Sequence, residues 1–141
     1  MSPPAAGYSG TPLWKKLGLK PGLRVFVLNA PADLDALLSG APRDLDRLVR
    51  LAAFDIALAF VRSGRSLIAT LARLEHKLST DGMIWIAWPK KSSGVTTDVT
   101  EDVVRTAALA LGLVDVKVCA IDATWSGLKL VRRLRDRRAL R

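Results

Sequence analysis

A single α/β domain is predicted, with a mostly parallel sheet, helices on both faces and an antiparallel hairpin at its C-terminal end. Three observations predict it. Continuously apolar runs, "LRVFVLNAP", "FDIALAFV" and "DGMIWIAWP", alternate with segments of helical periodicity. Uninterrupted apolar strands of this kind belong to a parallel sheet covered on both faces. Near the end, the alternating run "LVDVKVCAID" is followed closely by "SGLKLVRR", which reads as an edge hairpin. Finally, 141 residues, half of them apolar, suit one core.

The elements follow in order. Met1 to Gly10 is rich in Pro, Gly and Ser and reads as an extended lead-in, outside the domain proper at 11–133. "TPLWKKLGLKPG" predicts a short helix with Thr11 as N-cap, Pro12 at the first position and Gly18 as its stop. Leu13, Trp14 and Leu17 then fold back on the body. "LRVFVLNAP" is the first strand, ended by Asn29 and Pro31, and "ADLDALLSG" is helical with Leu34, Leu37 and Leu38 on one side. "DRLVRLA" is a weaker second strand, and "FDIALAFV" a buried third. From Arg65 to Leu78, Leu67, Leu71, Leu74 and Leu78 repeat at helical spacing. An Asp-Gly turn leads into "DGMIWIAWP", where Trp85 belongs to the core. A helix runs from Val99 to Leu111, with Asp98 and Glu101 spaced as a capping box and Gly112 as its stop. In "LVDVKVCAID", Val114, Val116 and Val118 share one face.

The net charge is +9, and the last ten residues hold six arginines and one aspartate, leaving +5 there and +4 elsewhere. The body is therefore mildly basic, and 134–141 is a basic tail. One cysteine permits no intramolecular disulfide. "MSPPAAGYSG" has neither the basic start nor the apolar core of a secretory signal, and no apolar run reaches the length of a membrane span. A cytoplasmic protein without membrane contact is expected.

Two resemblances rest on longer motifs. The run of "FDIALAFV", a helix, "LSTDGMIWIAW", a helix ending in "LGL", and "VDVKVCAIDATWSGLKLVRR" resembles the later half of a Rossmann-like S-adenosylmethionine methyltransferase domain. The motifs "GYSGTPLWKKLGLKPG", "LNAP", "AWPKKSSGVTTDVTEDVVR" and "LGLVDVKVCAIDATWSGLKLVRR" are similar to a small bacterial family of domains of unknown function, over most of the chain. The first resemblance implies a Rossmann-like fold. It also implies a glycine-rich loop after the first strand and an acidic residue ending the second. Here the loop is "LNAPADLD", without glycine, and the second strand ends near Leu51 and Ala52. Methyl transfer by the usual route is not expected, and no cofactor is predicted.

In such a sheet, ligands bind beyond the carboxyl ends of the strands. Those ends carry Asn29, then Arg62 and Ser63, then Trp88, Lys90, Lys91, Ser92 and Ser93, then Asp122 and Trp125. Their cations and hydroxyls suit a phosphate or carboxylate. A Lys90→Ala, Lys91→Ala double variant is accordingly expected to lose anion binding. The plainer reading is a solvated loop with serines that serve turns, and tryptophans that cover the end of a sheet. "PKKSSG" lacks the GxxxxGK[ST] arrangement of a P-loop. His76 reads as a solvated helix residue and Cys119 as a packed strand residue, so neither a nucleophile nor a metal site is expected.

The leading expectation is a non-catalytic binding or interaction protein whose rim holds an anionic small molecule or an acidic protein surface. An enzyme of unknown reaction, including a divergent methyltransferase, is the alternative. A nucleic-acid accessory role would rest on the arginine tail (Arg132, Arg133, Arg135, Arg137, Arg138 and Arg141) through salt-sensitive phosphate contacts. An exposed edge strand also leaves room for a homo-oligomer.

Overall fold

Strands and helices alternate along the chain in the computed structural model, which describes residues 10–140. The order is α1 (Leu13–Leu17), β1 (Arg24–Leu28), α2 (Leu34–Leu37), β2 (Asp46–Arg47), β3 (Phe54–Phe60), α3 (Gly64–Glu75), β4 (Leu78–Pro89), α4 (Glu101–Ala110), β5 (Leu113–Ala120), β6 (Trp125–Arg132) and α5 (Leu134–Leu140). The predicted lead-in, Gly10 apart, lies outside the described residues, as does Arg141.

One six-stranded sheet carries the order β2-β1-β3-β4-β6-β5. The pairs β1–β2, β1–β3 and β3–β4 are parallel, while β4–β6 and β5–β6 are antiparallel. The predicted α/β class, its parallel majority and its terminal hairpin are all present.

Two cores explain the continuous apolar runs. Successive strand residues point to opposite faces, so Ile84 and Ile86 join Leu67, Leu71 and Val104 from the helices on one face. Trp85 and Ala87 join Leu17, Leu34, Ile56 and Leu58 on the other. Trp85 is fully buried, and its indole N–H donates to the Leu17 carbonyl at 2.9 Å. That bond pins α1 to the sheet. Trp88, three positions on, falls in the opposite core.

Several local expectations are corrected. Pro12, not Thr11, stands at the N-cap of α1, although Gly18 does end it in a left-handed conformation (φ 86°). The weak second strand shrinks to two residues; Val49, within the expected strand, is 95% exposed. α3 stops at Glu75, and Leu78 instead begins β4. No Asp-Gly turn precedes the third buried strand. β4 continues through Asp81 and Gly82, and its pairing jumps from Phe54–Leu78 to Ile56–Met83. The capping box is absent too: Thr100 Oγ1 accepts from the Val103 N–H at the start of α4, and Asp98 serves a different helix. In β5 the pairing with β6 shifts between Asp115 and Val118. Val116 and Val118 are left half exposed, so the alternation does not mark a core face. Last, the segment read as a tail forms α5. Among the described residues, no helix is long and apolar enough to cross a membrane.

Candidate functional site

β1 and β3 are neighbours, and the chain leaves them in opposite directions, β1 toward β2 and β3 toward β4. Such a switch point opens a crevice at the carboxyl ends of the strands. A cleft of about 380 Å³ lies there, lined by the loop Asn29, Ala30 and Pro31 and by Phe60, Arg62, Ser63, Ser66 and Trp125.

Local chemistry sets each wall. Asn29 turns the chain out of β1 with φ 56°, the left-handed region that Asn tolerates better than most side chains. Beyond β3, Val61 still pairs with the sheet through the Ala87 carbonyl. Arg62 is exposed, and its carbonyl accepts from Thr97 Oγ1 at 2.6 Å. Ser63 caps α3 by accepting from the Ser66 N–H at 3.1 Å, and the Gly64 N–H donates to Asp98 Oδ1 at 2.8 Å. The start of α3 thus already holds a carboxylate, which suits the positive end of its dipole.

Trp125 closes the far side. Its ring meets Phe60 edge-on at 5.0 Å, and the Arg62 guanidinium carbon lies 5.7 Å from the indole centroid. That distance is within cation–π range. Asp122 Oδ1 accepts from the N–H groups of Thr124 and Trp125 at 2.8 and 2.7 Å. These bonds fix the turn that presents the indole.

The structure therefore divides the set of residues picked from the sequence. Asn29, Arg62, Ser63 and Trp125 come together. Lys90, Lys91, Ser92 and Ser93 do not line this cleft. They form a turn in which the Ser93 hydroxyl donates to the Lys90 carbonyl at 2.6 Å and accepts from the Val95 N–H. Trp88 is buried on the other face, and Asp122 is spent on its turn. Four lining residues lie outside the predicted set: Ala30 and Pro31, in the same loop as Asn29, and Phe60 and Ser66. Phe60 reads as strand core, whereas Ser66 was signalled by its three-residue spacing from Ser63, which puts both on one helix face.

Other notable groups stand apart from the cleft, and the buried Nε atoms of Arg132 and Arg137 have no hydrogen-bond partner among the described residues. Burial pushes the Cys119 thiol up, against a smaller opposing effect of Lys16, Lys117 and Lys90, so it stays protonated near neutrality. Arg132 is engaged: its guanidinium meets Glu75 Oε1 and donates to the carbonyls of Glu75 and Leu78. Arg135 pairs loosely with Asp136 at 3.8 Å, and Arg138 is exposed. No group of three His, Cys, Asp or Glu is placed to hold a metal among the described residues.

Methyltransferases are among the solved structures that share this fold. The chain is similar to a putative methyltransferase from Thermoplasma acidophilum, with TM-score 0.52 and 9% identity over 89% of this chain and 76% of that one. It is also similar to ribosomal protein L11 methylase from Lactobacillus delbrueckii subsp. bulgaricus, with TM-score 0.54 and 14% identity over 86% and 75%. A third is magnesium protoporphyrin IX methyltransferase from Synechocystis PCC 6803 with bound S-adenosylmethionine, at 0.55 and 9% over 86% and 74%. Identities this low speak for the fold alone. No curated protein matches the sequence. A family model described as "Protein of unknown function" matches residues 16–134.

Proposed function

Because the chain belongs to the DUF3052 family of proteins of unknown function, we propose its function from the cleft itself: a binding protein that holds a small anion at the carboxyl rim of a methyltransferase-like sheet. One observation carries this reading. Arg62 is the only charged side chain among the residues lining the cleft, and it stands at the switch point with its guanidinium against Trp125. The lining also speaks for binding over catalysis. It contains no carboxylate, imidazole, thiol or amine, so it offers no side chain suited to proton transfer near neutrality.

The test is a thermal-shift screen of the full chain against nucleoside monophosphates, di- and tricarboxylates and S-adenosylmethionine. A ligand at about 100 times its dissociation constant adds roughly 2.7 kcal/mol, a shift of several degrees in a domain of this size. Arg62→Ala is expected to remove the shift, and the Lys90→Ala, Lys91→Ala double variant to retain it. An Arg62 variant that binds as well as wild type would end the proposal, and so would a panel without a hit.

The second reading is a divergent methyltransferase, favoured by the fold and by the left-handed turn at Asn29. The residues present do not fit the usual pose of S-adenosylmethionine. Ala30 and Pro31 set side chains where glycine lets the ligand approach the backbone. Residues 48–53, which follow β2, are Leu, Val, Arg, Leu, Ala and Ala; none has a side chain that can accept from a ribose hydroxyl. Asp46 lies opposite Arg24, at the amino end of β1. Calorimetric heat on adding S-adenosylmethionine would promote this reading, and its absence would remove it.

A further inference from the structure

A second cavity, of about 160 Å³, sits between the β1–β3 face of the sheet and the segment 35–47. It shares no lining residue with the rim cleft. Its inner part is apolar, made by Val25, Val27, Ile56, Leu58 and the Trp85 indole, with Leu38 and Ala41 beside it. A cavity of this size admits a benzene-sized group.

The polar lining is of another kind. Asp35, Arg43 and Arg47 are the charged groups on the cavity. Arg47 Nη1 lies 3.3 Å from Asp35 Oδ1, so these two largely neutralise each other. Arg43 is exposed and has no bonded partner among the described residues. The lining thus carries a net single positive charge beside an apolar hollow. Guanidinium groups favour planar carboxylates, which they bind through paired N–H donors.

We propose that this cavity binds a small monocarboxylate with a compact apolar body, a single ring or a short branched chain. The body occupies the space over Ile56, Leu58 and Trp85, and the carboxylate meets Arg43, with Arg47 beside it. One net positive charge matches one carboxylate and disfavours a dianion such as phosphate, which has no apolar part to bury. This site stands apart from the rim cleft, and neither depends on the other.

The experiment is a titration of the full chain with benzoate, followed by amide and indole N–H resonances. The expected result is a saturable shift of the Trp85 indole N–H and of the Val27 and Leu58 amides. Arg43→Ala should weaken it at least about tenfold, equivalent to 1.4 kcal/mol. Ala41→Phe, which puts a ring into the cavity, should abolish it, and benzyl alcohol should bind wild type at least about tenfold more weakly than benzoate does. Arg43 is exposed, so its variant keeps the test informative even where Ala41→Phe does not fold. No saturable shift of these resonances up to about 10 mM benzoate, well beyond millimolar affinity, would overturn the proposal. So would unchanged binding in Arg43→Ala. Loss in Arg62→Ala with retention in Arg43→Ala would move the acid to the rim cleft and overturn this site alone.

Discussion

At the scale of single residues, the charged pair Arg24 and Asp55 shows what periodicity hides. Asp55 accepts from the Arg24 backbone N–H at 2.9 Å, from its Nε at 3.2 Å and from its Nη2 at 3.1 Å. The hydrogen bond from the Arg24 side chain holds the Asp55 carboxyl below its ordinary 3.8, against the opposing effect of burial. A folded value below the unfolded one means that the contribution is complete above about pH 4 and lost as pH falls through the folded value. Asp55→Asn is expected to cost roughly 1.5 kcal/mol at pH 7, the low end for hydrogen bonds to charged groups because Arg24 is part exposed. Urea melts of both proteins at pH 7 and near pH 3 check this; a gap that fails to narrow in acid contradicts it. In the sequence, Asp55 is only the one charge in an apolar run. Its partner stands 31 positions earlier, beyond any local pattern. Arg132 is the same case, since its partners Glu75 and Leu78 lie more than 50 positions away. The rim residues Arg62 and Trp125 were found because strand ends are legible, whereas the distance between them is not.

Elements fare better when their signal is long and worse when it rests on two or three residues. The leucine stripe of α3 and the apolar runs of β1, β3 and β4 are repeated signals, and each element stands within a few residues of its expected place. The Asp81–Gly82 turn rested on a dipeptide, and tertiary contact overrode it. A Cβ on Gly82 would lie 2.7 Å from the Asp55 carbonyl oxygen and 2.6 Å from Ser79 Oγ. Glycine serves there to bring two backbones close where the β3–β4 pairing shifts, and not to turn the chain. Gly82→Ala is therefore expected to destabilise by about 1–3 kcal/mol, the usual cost of overpacking. A chemical melt within about 0.5 kcal/mol of wild type would contradict it, since that is the spread of inert surface changes. Asp98 shows the same limit. Its spacing to Glu101 fits a capping box, yet its carboxylate reaches across to Gly64 and joins the loop before α4 to the start of α3.

For the whole molecule, layer architecture was legible because alternation of strand and helix leaves few topologies. The strand order was not, since nothing local says that β6 lies between β4 and β5. The basic tail expected at 134–141 contains α5, which carries Arg135, Arg137 and Arg138 on a helix with Leu134 and Leu140 half exposed. Truncation after Arg133 removes four arginines and one aspartate, lowering the net charge from +9 to +6. It is expected to change stability by only about 0.5 kcal/mol, as surface changes do. If the chain is retained on DNA or RNA at low salt, the truncated form should be retained less. A large drop in melting temperature would instead make α5 part of the core structure.

The position of β6 has a consequence for the growing chain. On a ribosome, β1 to β4 can emerge and pair while the far edge of β4, twelve residues of mostly apolar strand, has nothing beside it. β5 does not cover that edge, because among the described strands it pairs with β6 alone. The edge is closed by β6, which follows all the other described strands in the chain, once residues 125–132 have left the tunnel. A bare edge of this kind is open to pairing with another chain. A message cut short before that point therefore encodes a chain that lacks the strand covering this edge.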